Sequence, residues 1–161
     1  MSTQKFEKEV PELLSISRIV DAPYNYNAGF YISKYLKELK DHKRFIAVRC
    51  PKCKKVYVPP RPVCGPCFTK MEEFVHVSDK GMVMAFAVTN VPYTNPSTGE
   101  PKEIPFTCAY IKLEGADSNI MHILEKTEEK NLKIGMRVQA VFNDIRTGDH
   151  FTDIKHFKII G

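Results

Sequence analysis

The sequence predicts a mainly β protein in three parts: a helical N-terminal segment over 1–42, a metal-stapled ribbon over 43–71 and a small closed β barrel over 72–161. Three observations predict it. Four of the five cysteines fall within the 18 residues CPKCKKVYVPPRPVCGPC, from Cys50 to Cys67. The chain before them carries one apolar stripe at helical spacing. The chain after them breaks into five or six short β segments in about 90 residues, divided by turn residues.

Composition sets the frame for these elements. A chain of 161 residues suits one or two small domains, and pieces of roughly 30–40 residues need a staple. An apolar content of 43 % and a charged content of 27 % are those of a soluble globular protein. No stretch approaches the roughly 20 apolar residues of a membrane span. The N-terminus, MSTQKFEKEVPELL, has no basic start followed by an apolar block, as a secretory signal would. The expectation is a cytoplasmic protein with no membrane association.

The N-terminal segment reads as helical with breaks. A short helix fits Val10–Ile19, with Pro11 in its first turn, and Pro23 separates it from a second. In that second helix Ile32, Tyr35, Leu36 and Leu39 form one apolar stripe at i, i+3, i+4 and i+7. Asn27 fits its N-cap, while Lys40, Lys43 and Arg44 suit the negative end of its dipole. Tyrosines 24, 26, 31 and 35 serve packing against the rest of the chain or docking of a partner.

Phe45–Arg49 is a short strand leading into the cysteines, spaced Cys50-x2-Cys53-x10-Cys64-x2-Cys67. Two CxxC turns supply the four soft ligands of a tetrahedral Zn(II) site. The intervening residues allow a hairpin, with Lys54–Val58 as a strand and Pro59-Pro60-Arg61-Pro62 turning it back. Gly65 is where an amide would turn toward a thiolate. A redox CxxC needs a single pair beside a βαβ unit, and disulfides suit an oxidising compartment. One structural metal ion, zinc ahead of iron, is therefore expected on Cys50, Cys53, Cys64 and Cys67; a rubredoxin-type iron site uses the same four thiolates. Four protein ligands close the shell and leave no position for substrate water.

Charge is concentrated here. Residues 42–70 hold eight Lys/Arg and no acid, whereas residues 71–161 hold ten bases and thirteen acids. Arg49, Lys52, Lys54 and Lys55 would offset the thiolate charge. Arg61, between the two turns, is left over for a ligand or partner.

After the cysteines the pattern is β: Glu73–Val77, an Asp79-Lys80-Gly81 turn, Met82–Val91, a 14-residue loop over 92–105, Phe106–Glu114 and Asn119–Leu124. Residues 125–132 read as one or two helical turns. Met136–Asn143 and His150–Ile160 complete the set. A five-stranded barrel of the OB-fold type fits this count, with one helical connection before the penultimate strand. A β-sandwich, which needs about seven strands in about 100 residues, is the competitor. The long loop would sit at the barrel mouth, with aromatics Phe86, Tyr93 and Tyr110 there for a ligand. Cys108, in mid-strand, reads as a buried, inert thiol.

No GxSxG, HExxH, GxxxxGK[ST] or GxGxxG occurs, and the five histidines are scattered. A binding or scaffold protein is expected rather than an enzyme. Cationic Lys54, Lys55 and Arg61 beside barrel aromatics suit the phosphates and base of coenzyme A. They equally suit single-stranded nucleic acid, although the acidic balance of the barrel works against that partner.

The order helical N-terminus, Arg49–Cys53 (RCPKC), Pro59-Pro60-Arg61, Cys64–Cys67 (CGPC) and Leu132–Phe142 resembles a thiolase-associated zinc-ribbon/OB-fold family, long catalogued as a domain of unknown function. The likeness spans essentially the whole chain. It implies an N-terminal helical hairpin, a rubredoxin-like zinc ribbon and a C-terminal five-stranded OB-fold barrel. It also implies a non-catalytic role in acyl-CoA binding or scaffolding beside a thiolase-type enzyme. In archaea such proteins are linked to acetyl-CoA acetyltransferase and hydroxymethylglutaryl-CoA synthase.

Overall fold

The computed structural model describes residues 27–92, 94, 100–101 and 103–160. The expected helix at Val10–Ile19, together with Tyr24, Tyr26 and Tyr93, lies outside the described residues.

Helix α1 spans Gly29–His42. Its apolar stripe docks as the periodicity requires: Tyr35 and Leu39 are buried, and Leu36 packs against the same core. The N-cap is Ala28 rather than the expected Asn27, but Asn27 Oδ1 accepts from the Gly29 N–H at 2.7 Å and so satisfies one of the free amides of the first turn. Lys43, in the left-handed conformation (φ 55°), closes the C-terminal end: its N–H donates to the Leu39 carbonyl and the Arg44 N–H to the Glu38 carbonyl.

Two sheets follow. The first has the order β2-β1-β3, formed by β1 (Phe45–Arg49), β2 (Val56–Tyr57) and β3 (Glu73–Val77). The second has the order β6-β5-β4-β7-β8, formed by β4 (Lys80–Thr89), β5 (Phe106–Leu113), β6 (Asn119–Ile123), β7 (Arg137–Phe142) and β8 (Ile154–Ile159). A parallel bridge between Leu124 and Phe157 joins its two edges, so the five strands close into an OB-type barrel rather than a sandwich. Gly81 is required where β4 crosses β5: a Cβ there would stand 2.5 Å from the Lys112 carbonyl oxygen.

Three expectations are corrected. Strand β3, counted from sequence with the barrel, pairs along its whole length with β1, from Phe45↔Val77 to Arg49↔Glu73. The run His150–Ile160 is not one strand: His150–Asp153 forms the short helical turn α2, and the strand begins at Ile154. Its cause is local. Asp149 Oδ1 accepts from the Phe151 N–H, and the buried Asp153 carboxylate accepts from the amides of Thr147 and Gly148. The helical turns expected over 125–132 reduce to one 3-10 turn at Glu129–Asn131.

One core runs through all three parts. Tyr35 and Leu39 of α1, Phe45–Ala47 of β1, Val56 of β2 with Val58 just after it, and Ile111, Val138 and Phe157 of the barrel belong to a single buried cluster. Phe45 is its hub, with its ring 5.7 Å from Phe142, 6.3 Å from Phe157 and 6.5 Å from Tyr35. Each large side chain buried there contributes roughly 1.5–3 kcal/mol.

Polar contacts fix the same junctions. The turn between β5 and β6 supplies Asp117 and Ser118 to the free side of β2. Asp117 Oδ2 accepts from the Val56 N–H at 2.8 Å, and Ser118 Oγ accepts from the Val58 N–H at 2.7 Å. Arg146, in the β7–α2 connection, donates to the Lys40 carbonyl at 2.6 Å and so caps the exposed end of α1.

Candidate metal centre and ligand surface

Strand β1 delivers Cys50 to the first turn, and the two cysteine turns repeat one backbone pattern. The Cys50 N–H donates to the Lys55 carbonyl, and the Lys54 N–H donates back to the Cys50 carbonyl. The Cys64 N–H donates to the Thr69 carbonyl, and the Phe68 N–H donates back to the Cys64 carbonyl. In each turn the fourth residue after the leading cysteine is left-handed: Lys54 at φ 63° and Phe68 at φ 50°. The left-handed position of each turn is therefore held by a residue with a side chain, and Gly65 is not left-handed. An amide does approach a sulfur in the first turn, where the Cys53 N–H donates to Cys50 Sγ at 3.5 Å.

These turns bring all four Sγ atoms within 4.8 Å of one another. Cys53 Sγ and Cys64 Sγ are 3.7 Å apart. A tetrahedron with metal–sulfur bonds of about 2.3 Å has sulfur–sulfur edges of about 3.8 Å, whereas a disulfide bond is about 2.05 Å. The cluster thus has the dimensions of a tetrathiolate metal site, and the cysteines are free thiols. Cys50 and Cys64 are fully buried, and Val48, Tyr57 and Met71 pack round them. Helix α1 reaches this layer through Tyr31, whose hydroxyl donates to the Met71 carbonyl at 2.8 Å.

The four thiols differ electrically. The Tyr57 hydroxyl lies 3.4 Å from Cys64 Sγ, and its hydrogen bond is the main cause that holds the Cys64 thiol down, to about 6. Cys67, hydrogen-bonded with Cys53, is pushed up to about 12. A metal is held by thiolates, so its binding displaces the protons that these cysteines carry.

Ion pairing sorts the eight cations of residues 42–70. Arg49 pairs with Glu73, Lys43 with Asp144, Arg44 with Glu38 and Lys70 with Glu72. Among the described residues, Lys52, Lys54, Lys55 and Arg61 form no ion pair; all four lie between Cys50 and Cys64. Arg49 thus serves the β1–β3 edge and not the thiolates. Arg61 has a contact of another kind: its guanidinium carbon stands 3.8 Å over the Tyr57 ring.

The predicted aromatics lie elsewhere. Tyr110 is exposed on the outer face of the barrel, opposite Ala85 of β4 and Met121 of β6. Phe86 is half-buried and packs against the core. Both border a shallow hollow of about 210 Å³ with Ala85, Ala87, Cys108 and Met121. The hollow lies on the sheet's outer face and not at a barrel mouth. Cys108 lines it, half-buried rather than buried.

Comparison with known proteins decides the family. The zinc-ribbon domain family described as "ChsH2, rubredoxin-like zinc ribbon domain" matches residues 38–72, and "ChsH2, C-terminal OB-fold domain" matches residues 74–143. A DUF35 domain-containing scaffold protein of Methanocaldococcus jannaschii is 34% identical over 111 residues, covering 68% of this chain and 75% of the relative. The chain belongs to the DUF35 family. A second DUF35 scaffold protein, from Pyrococcus furiosus, is 27% identical over 118 residues, covering 73% of this chain and 82% of the relative. Two solved structures share the fold. One is described as an Ltp2-ChsH2(DUF35) aldolase (TM-score 0.61, 20% identity, 84% of this chain and 98% of that one). The other is a DUF35 protein of unknown function from Sulfolobus solfataricus (TM-score 0.55, 21% identity, 79% and 83%). Both solved structures thus share the fold of this chain.

Sequence reasoning missed Tyr57, Asp117 and Ser118. Tyr57 reads only as a strand aromatic, although its position midway between two CxxC pairs places it in the hairpin that carries the metal. Asp117 and Ser118 read as turn residues, and nothing local marks their bonds to β2.

Proposed function

We propose that this DUF35 chain is a non-catalytic scaffold subunit that holds a thiolase-type acyl-CoA enzyme, with Zn(II) as the resident structural ion of Cys50, Cys53, Cys64 and Cys67. The observation that carries this reading is the DUF35 relative of M. jannaschii, described as a scaffold protein and aligned over three quarters of its length. The structural neighbour, in which a DUF35 chain accompanies Ltp2 in an aldolase, supports an enzyme as the partner. The chain's own residues agree. The metal cluster is closed by four thiols and serves folding, and the unpaired cations lie on one module of a fold whose parts are locked together.

On this reading Lys54, Lys55 and Arg61 meet the phosphates of an acyl-CoA or an acidic patch of the partner, and Phe86 and Tyr110 border the apolar part of the surface. The bridge would join an acetyl-CoA acetyltransferase to a hydroxymethylglutaryl-CoA synthase. The test is purification of the tagged chain from its own cells, with its metal, followed by native mass measurement and by calorimetry with coenzyme A and acetyl-CoA. Recovery of a thiolase-type enzyme, with zinc at one ion per chain, is expected. Recovery of no acyl-CoA enzyme, together with no heat on titration, overturns the reading. Salt-dependent retention of single-stranded nucleic acid would replace it with the rival class.

A further inference from the structure

The Tyr57–Arg61 pair has no role in the partner or ligand reading that requires its geometry. Tyr57 is almost fully buried, in the small cluster that contains Cys50 and Cys64. Its hydroxyl stands 3.4 Å from Cys64 Sγ. A metal-bound thiolate has no proton, so in the loaded centre that hydroxyl is the donor and the sulfur the acceptor. Arg61 covers the ring of the same tyrosine at 3.8 Å and forms no ion pair among the described residues. Arg61 is exposed, as are Lys52, Lys54 and Lys55, and water screens part of its charge, but it lies on the face of a ring whose hydroxyl touches a ligand sulfur.

We infer that Tyr57 and Arg61 are an outer layer of the metal centre, which retains the ion by donating a hydrogen bond to Cys64 and placing a cation behind the donor. A divalent ion with four thiolates carries about two negative charges. A hydrogen bond to one sulfur draws electron density from it and protects it from protonation, which is the first step by which a thiolate leaves a metal. The guanidinium polarises the hydroxyl toward the sulfur and offsets part of the remaining charge. Partners of this kind are worth about 10–100-fold in metal affinity where they have been removed from metal sites. Arg suits the position better than Lys, because a planar guanidinium can stack on the ring while a lysine ammonium only places a strongly hydrated charge near it.

The rival account is packing: Tyr57 fills space and Arg61 rests on it. Tyr57→Phe separates the two, because it keeps the ring and its stacking surface and removes only the O–H. The metal-loaded full chain is challenged with a chromogenic chelator, and release of the ion is followed in time. Tyr57→Phe is expected to speed release about 10–100-fold, Arg61→Ala less, and Arg61→Lys about as much as Arg61→Ala. With Arg61 acting through the hydroxyl, adding Arg61→Ala to Tyr57→Phe gives little further acceleration. The second readout is the sulfur-to-cobalt charge-transfer band of the Co(II)-loaded chain, which is expected to move in Tyr57→Phe while the four-cysteine coordination remains. This band reports the environment of the sulfur even if the variant is less stable. Release at the wild-type rate with an unmoved band overturns the inference. Fully additive effects of the two substitutions overturn the relay between them. These outcomes are independent of whether any enzyme or acyl-CoA is bound.

Discussion

Val56 and Asp117 exchange hydrogen bonds in both directions: the Val56 N–H donates to the Asp117 carboxylate at 2.8 Å, and the Asp117 N–H donates to the Val56 carbonyl at 2.8 Å. A turn of the barrel thereby acts as the missing neighbour of β2, a strand of two residues that pairs with β1 on its other side. Asp117→Ala should lose about 1–3 kcal/mol, because it strands a buried N–H that had a charged acceptor. Asp117→Asn, which keeps an acceptor, should lose less. Urea denaturation of both variants checks the order.

Removing a metal ligand should reach beyond the ribbon. Cys53→Ser is expected to lose the ion and at least about 2 kcal/mol, or roughly 4–8 °C in thermal midpoint for a chain of this size. Because the core cluster extends from α1 through the ribbon into the barrel, near-ultraviolet signals from its aromatics, Tyr35 of α1 and Phe157 of the barrel among them, should shift as well. Elemental analysis alongside calorimetry tests this, and full metal content in the variant would refute the four-cysteine site.

His150 makes stability depend on pH. Its ring lies between the Tyr35 hydroxyl, 2.9 Å from Nδ1, and the Met121 carbonyl, 3.3 Å from Nε2. The carbonyl can only accept, so Nε2 carries the proton and Nδ1 accepts from Tyr35. Burial holds the histidine below its ordinary value, opposed by the Met121 hydrogen bond and by Asp149. His122 faces it edge-on at 5.3 Å. A folded-state value below the unfolded one means that the unfolded chain binds the extra proton. Stability is then complete above about pH 6.5, falls as pH drops through that value and levels off below the folded one. Thermal midpoints between pH 8 and pH 5 should show this decline, and His150→Gln should reduce it, leaving the part due to His156, which burial also holds down.

Gly81→Ala should be costly although the position is in a strand and the change is one methyl group. Its Cβ would meet the Lys112 carbonyl oxygen at 2.5 Å and the Leu113 Cα at 3.1 Å, both main-chain atoms of the paired strand. A loss of about 1–3 kcal/mol is expected from this overpacking, read from chemical denaturation. Gly65→Ala, with nothing within 4 Å of its Cβ, is the matched control and should be near neutral.

What the sequence disclosed depended on how local the cause was. The cysteine spacing, the Tyr35–Leu39 stripe and the alternation of β5 are decided by neighbours a few residues apart, and the structure follows them. Strand β3 was legible as a strand, but its partner was not: pairing with β1 is decided by which edge the folded ribbon leaves open. The helical turn at His150 was hidden by an apolar-polar alternation that continues into β8, while its cause, the Asp153 carboxylate closing on two amides, involves contacts inside a bend. In the metal centre the four sulfurs were legible and their surroundings were not. Arg49 was drawn away by Glu73, which follows it by 24 positions, and Arg61 was brought in by folding over Tyr57.

The bonds from Asp117 and Ser118 to β2, and from Arg146 to the end of α1, have a mechanical consequence. They replace hinges with braces. A load applied at the cysteine turns is carried into the barrel by main-chain hydrogen bonds and by Phe45 at the hub, with no free swivel between. The distance from the cysteine turns to the far rim of the barrel is therefore a dimension of the molecule, like the arm of a set square, and two bodies gripping its ends would be held at one spacing and one angle.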